Sequence, residues 1–321
     1  MSTSKFGLSL RAVLVALSAL LLAFVATACG SAPTESGAKT IGFVVYDVGV
    51  DPWFNVAIKT VEEQAKAAGL EVKVVNGHND IGQMTSGIDQ LITQKVGAIL
   101  LAPSDPDSMV PAVKRADAAG IPVVAFSMAI SDEAPVTSFV GADDVNIGRE
   151  QGKMLAEALG GTGNVALMTG ILGSGPQLGR TKGIHEELAN HPGIKIVEEQ
   201  PNNWQNDKTI SLTQDWLSKY PAGQINGIVA QGPELAAGAR LAFSDGRDDI
   251  AFIGCDFPAD VQKAIQSGEM YGTINQSPAL MAEKAIATIN SILAGDSVEK
   301  EVLIDTPPVT KANVADQTSA Y

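Results

Sequence analysis

From Thr40 onward the chain alternates short β-branched runs with longer segments of helical period, and no other feature restricts the fold as strongly. Residues 40–46 (TIGFVVY) read as a buried strand. Residues 53–68 follow as a helix, with Val56, Ala57, Val61, Ala65 and Ala68 at helical spacing and Gly69 as the stop. Strand 71–76, helix 81–94, strand 98–102, helix 109–119, strand 122–126, strand 138–141 and helix 145–159 repeat the cycle up to Gly160 and Gly161. A second series then runs through strands 165–168, 194–199, 227–230, 250–254 and 272–275. Its helices are 178–188, 208–218, 234–243, 260–267 and 280–294. Such alternation predicts an α/β fold of two doubly wound lobes, each a parallel sheet covered on both faces. Ligands of such folds sit among the loops at the carboxyl ends of the strands.

The N-terminal segment has a different character. Lys5 and Arg11 precede an apolar run, residues 12–28, which closes in Ala26-Thr27-Ala28-Cys29 before a polar stretch. A basic start, a short apolar core and small residues at its end describe an export signal. The Cys after those small residues resembles a bacterial lipobox, in which the thiol is acylated; the usual Leu three positions earlier is Ala26 here. The expectation is a signal peptide at 1–28 and a lipidated Cys29. Residues 29–39 then serve as a flexible linker, placing the protein on the outer face of the cell membrane. Cys255 would be left without a partner, so the fold must hold without an intrachain disulfide.

The net charge of −14 argues against nucleic acid and against a basic membrane patch, leaving the lipid as the only membrane contact. No phosphate-binding loop is present, and Gly170, Gly173 and Gly175 have the wrong spacing for a dinucleotide fingerprint. His78, His185 and His191 form no metal-ligand pattern, and no Ser or Cys sits in a nucleophile elbow. No cofactor, metal or enzymatic activity is expected.

Four loops stand out. Residues 47–54 (DVGVDPWF) deliver Trp53 and Phe54 to the start of a helix; Asn202-Asn203-Trp204-Gln205, Cys255-Asp256-Phe257-Pro258 and Gln276-Ser277-Pro278 follow later strands. Aromatic residues are 5% of the chain, yet Trp53 and Trp204 both fall on the same expected sheet edge. Either they cap the lobe cores, or they face each other across a cleft. Flat apolar faces edged by Asp, Asn and Gln suit a molecule with C–H faces and hydroxyls, such as a sugar or polyol. Asp256 has a second reading, as the N-cap of the helix starting near Pro258.

Residues 40 to about 303 resemble the ribose-binding-type group of periplasmic binding proteins, the type I solute receptors of sugar ABC transporters. The resemblance lies in residues 40–46 with Asp51-Pro52-Trp53-Phe54, and in AILLAPSD at 98–105, GIPVVAF at 120–126, residues 141–148, FIGCD at 252–256 and GTINQSP at 272–278. It implies two lobes joined by a three-strand hinge. The N-terminal lobe would be 40–142 plus 279–304, and the C-terminal lobe 143–278 plus 305–321. Trp53, Phe54 and Trp204 take the positions of the family's stacking aromatics, Asp51 that of an Asn, and Asp256 and Gln276 those of its hinge-side polar pair.

The chain departs from that group at several polar positions. Ser127-Met128 stands for Asp-Arg, Ala102 and Gly232 for Asn, Leu178 for Arg, and Cys255 for an aromatic. With much of the hydroxyl-gripping set gone, and Tyr46 filling space at the end of the first strand, the expected ligand is a small acyclic polyol rather than a hexopyranose. The expected contacts are Tyr46, Asp51, Trp53, Phe54, Ser127, Met128, Gln177, Trp204, Gln231, Asp256 and Gln276. The resemblance further implies a monomer that delivers its ligand to an ABC permease with a cytoplasmic ATPase. The alternative is a receptor of the same fold that reports to a membrane kinase or chemoreceptor.

Overall fold

The structure, a computed structural model, describes residues 39–49 and 51–321. The expected signal, Cys29 and nearly all of the linker lie outside the described residues.

Two six-stranded sheets carry the fold. The first has the order β11 (Glu301–Leu303), β5 (Ser138–Gly141), β4 (Val123–Phe126), β3 (Ala98–Ala102), β1 (Thr40–Val45), β2 (Glu71–Asn76), with every pair parallel. The second has the order β12 (Pro308–Thr310), β10 (Gly272–Ile274), β9 (Ala251–Cys255), β8 (Gly227–Ala230), β6 (Thr162–Thr169), β7 (Gly193–Pro201). Its pairs are parallel except β12, which runs antiparallel to β10. Central strands such as β3 are buried at every residue, because helices cover both faces. The strands therefore read as continuous apolar runs.

The chain passes between the sheets three times: after β5, after β10 and after β11. Nine helices connect the strands among the described residues. Four position the site: α1 (Pro52–Ala67), α5 (Gly175–Leu188), α8 (Ala259–Ser267) and α9 (Pro278–Ala294). Helix α9 returns from the second sheet to pack on α1. Both begin alike, with a polar N-cap followed by Pro, which fixes the chain direction at their first turn.

Two differences from the sequence reading matter. The three-residue strands β11 and β12 were not anticipated; each is too short to show a period. Helix α5 starts at Gly175-Pro176, three residues earlier than its apolar pattern indicated.

Candidate functional site

Loops at the carboxyl ends of strands from both sheets enclose a cavity of about 290 Å³. The first sheet's side contributes Asp51, Trp53 and Phe54 after β1, and Ser127 and Met128 after β4. Asp51 is the N-cap of α1, its Oδ1 accepting the Trp53 backbone N–H at 2.8 Å. That cap holds the two aromatics at the cavity wall. Tyr46 is not part of the wall: its ring meets Phe54 edge-on at 5.2 Å from beneath, and its hydroxyl reaches Asp51 Oδ2 at 3.5 Å.

Both cavity tryptophans spend their indole N–H on backbone. Trp53 Nε1 donates to the Gln276 carbonyl at 3.0 Å, and Trp204 Nε1 to the Gln231 carbonyl at 3.2 Å. Trp204 also needs two glycines: a Cβ at Gly170 would fall 2.3 Å from its ring, and one at Gly232 2.6 Å from it. Gly232 is thus the residue that lets the indole approach the β8 loop.

The second sheet's side holds groups that the sequence did not disclose. Leu178, where the resemblance placed an arginine, is 54% exposed and away from the cavity, while Arg180 lines it. With α5 starting at Gly175, its buried face runs through Pro176, Gln177, Arg180, Gly183 and Ile184. Pro176 was the available signal, since Pro favours the first helical turn. Arg180 donates from Nε to Asp144 Oδ1 at 2.9 Å, from Nη1 to the Gln231 carbonyl at 2.6 Å and from Nη2 to Gln276 Oε1 at 2.7 Å. Glu234 and Tyr321 also line the cavity; neither was among the expected contacts.

Gln177 and Gln231 are not brought to the cavity wall. Gln177 accepts from the Gly173 N–H at 3.0 Å and Gln231 from the Gly170 N–H at 3.0 Å; both donate to Thr181 Oγ1. They brace the loop after β6 instead.

Asp256 is buried, and its Oδ1 accepts from the Cys255 thiol at 3.8 Å. It does not cap α8, whose N-cap is Pro258. Asp256, Ser127 and Trp204 all hold left-handed backbone, at φ +67, +61 and +57. Such geometry in non-glycine residues costs on the order of 1–2 kcal/mol each and concentrates at functional sites. Burial pushes the Asp256 carboxyl up to about 8 and that of Glu234 up to about 7. Asp51 is raised by burial too. The thiol of Cys255 is driven up by burial, away from reactive thiolate. Among the described residues, no group of His, Cys, Asp and Glu is placed to hold a metal.

The lobes approach closely beside this cavity. A Cβ at Gly175 would lie 3.1 Å from the Ala129 backbone N, so the start of α5 sits against the loop after β4. A two-lobed α/β scaffold with an aromatic, carboxylate-edged cavity at its junction defines a solute receptor.

The comparisons with known proteins agree. The family described as "Periplasmic binding protein domain" matches residues 41–297. A "Xylitol-binding protein" of Mycolicibacterium smegmatis is 33% identical over 292 residues, covering 90% of this chain and 82% of the relative. A "Ribose import binding protein" of Bacillus subtilis is 30% identical, covering 87% and 92%. An ABC transporter solute-binding protein from Bacillus halodurans, solved with bound myo-inositol, superposes with a TM-score of 0.82 at 26% identity, covering 88% and 98%. The chain belongs to the periplasmic binding protein family, in its ribose-binding type.

Proposed function

We propose that the cavity captures a small neutral polyhydroxylated molecule, an acyclic polyol in preference to a hexopyranose, for import by an ABC transporter. The carrying observation is the cavity itself. Its volume of about 290 Å³ is at the low end for ligand pockets, and its walls combine Trp53, Phe54 and Trp204 with Asp51, Glu234, Asp256 and Gln276. Aromatic faces accept C–H surface, while carboxylates and an amide pair with hydroxyls. The xylitol-binding relative supports the same ligand class.

The proposed contacts are Asp51, Trp53, Phe54, Ser127, Met128, Trp204, Asp256 and Gln276, with Tyr46 as a support beneath them. Because the ligand touches both lobes, it binds the closed arrangement more tightly and shifts the population toward it. A permease with its cytoplasmic ATPase would receive the monomeric, closed receptor. Acylation at Cys29 would tether it to the membrane, and Cys29→Ser should release the processed protein from the membrane fraction.

A thermal-shift screen of erythritol, xylitol, ribitol, ribose, xylose, glucose, galactose and myo-inositol tests the ligand. A bound compound at 100 times its Kd adds about 2.7 kcal/mol of stability. Tight binding of a hexose with all alditols inert would overturn the polyol reading.

A further inference from the structure

Three residues that line the cavity each carry a buried polar atom without a hydrogen-bond partner: Glu234 Oε2, Gln276 Nε2 and Tyr321 Oη. Gln276 is already among the proposed contacts; the other two belong to no expected set. Buried polar atoms are normally paired, so two orphans on one cavity wall mark places where a ligand supplies the partner.

Glu234 sits at the β8 loop. Its Oε1 is held by Asn202 Nδ2 at 2.5 Å, and Asn202 is itself fixed to Thr209 Oγ1 at 3.0 Å. The other oxygen occupies the space that a side chain at residue 232 would need: a Cβ on Gly232 would lie 2.3 Å from it. Gly232 therefore removes one side chain from the cavity and admits the Glu234 carboxylate in its place.

Tyr321 arrives by another route. Residues 317–321 are pinned along the start of α8, with Gln262 Nε2 donating to the Gln317 carbonyl at 2.9 Å. The Ala320 N–H donates to the Phe257 carbonyl at 2.9 Å, and the Ala259 N–H to the Tyr321 carbonyl at 2.8 Å. This short ladder begins one residue beyond Asp256 and sets the phenol into the cavity.

We propose that Glu234 and Tyr321 form a hydroxyl-reading corner of the ligand site, in which Glu234 Oε2 accepts a ligand O–H and the Tyr321 hydroxyl bonds to the ligand as donor or acceptor. The corner rests on the polyol reading and adds two contacts to it. Both groups come from the second lobe, so the corner selects the hydroxyl pattern on one end of the ligand.

The test is calorimetric titration of xylitol, ribitol and ribose into the wild type and into the Tyr321→Phe and Glu234→Gln variants. The compound that binds wild type most tightly serves as the probe. Loss of one ligand hydrogen bond should weaken binding about 3- to 10-fold in Tyr321→Phe and in Glu234→Gln. Ligand-free Tm should be unchanged or higher in Tyr321→Phe, because the hydroxyl removed had no protein partner. A role confined to packing would lower Tm and leave Kd alone. Wild-type affinity, within twofold, in both folded variants overturns the corner and leaves the polyol reading standing. Should Glu234→Gln not fold, Tyr321→Phe alone decides. If the wild type binds none of the three, erythritol is titrated in the same way, and failure of every alditol overturns both.

Discussion

Arg180 donates from Nη2 to Oε1 of Gln276 at 2.7 Å, and this bond fixes which way round the Gln276 amide lies. A guanidinium can only donate, so it must face the amide oxygen and leave Nε2 on the cavity side. That nitrogen is buried and unpartnered. Gln276→Met should therefore weaken polyol binding about 3- to 10-fold through loss of the donor, and lower the Tm as well, because Arg180 Nη2 loses its buried acceptor. An unaltered Kd by calorimetry would count against Gln276 as a contact.

Arg180 should matter more for stability than for affinity. It is 4% exposed and its Nε bonds to Asp144, whose side chain is 11% exposed. Removing one partner of a buried pair strands the other charge and costs about 3–5 kcal/mol. Urea unfolding of Arg180→Ala should show that loss, and Arg180→Ala with Asp144→Asn should recover part of it.

Replacing Trp53 or Trp204 by Ala should each weaken polyol binding by about 1–3 kcal/mol through lost apolar burial and stacking. Trp53→Ala has a second consequence, since it frees the Gln276 carbonyl at the passage after β10. Titration of both variants checks this. Full affinity in both would remove the aromatic walls from the binding account.

Stability should fall as pH rises through neutrality. Burial raises Glu234 to about 7 and Asp256 to about 8, so the folded protein keeps protons that the unfolded chain has already released. Their contribution is complete below about pH 4 and is lost as pH climbs through those folded values. Asp105, Glu198 and Asp249 act in the opposite sense: hydrogen bonds lower their pKa, and their contribution is lost in acid. Ligand-free Tm should decline between pH 5 and pH 8.5, and Asp256→Asn should flatten that decline. A Tm that is level or rising over the interval would refute it.

Gly175→Leu should weaken ligand binding while leaving the fold intact. The new side chain would press on the backbone of Ala129, across the junction of the lobes, and hold the cavity open. Calorimetry with xylitol and small-angle scattering of the ligand-free protein check the two halves of that expectation. A compact variant with unchanged affinity would exclude the wedge.

The readable parts of the chain were those where one local signal suffices. The run AILLA of β3 is a buried parallel strand by composition alone, and Asp51-Pro52-Trp53 announces a helix start that delivers an aromatic. The rest depended on distance or register. Strands β11 and β12 have three residues each and are held by pairing to strands far away in the chain. Arg180 was hidden because a charged residue in a helix reads as solvent-facing, whereas the buried face of α5 runs through Gln177, Arg180 and Gly183. Glu234 reads as an acidic residue favoured at a helix start, and only the tertiary fold turns its carboxylate into the cavity. Tyr321 has no local signal at all; backbone pairing to residues 257 and 259 brings it there.

The three passages between the sheets bear on how the molecule can be taken apart. Strands β1–β5 share a sheet with β11, and β6–β10 share one with β12. A protease nick in any one passage leaves two covalent bridges, so cleaved protein should travel as one body until denatured. Nor can either half be obtained as a contiguous fragment: a chain stopped after β10 would lack α9, which covers α1, and the edge strand β11. A reporter domain inserted at a single passage would then feel the relative rotation of the halves while the remaining two keep them in register.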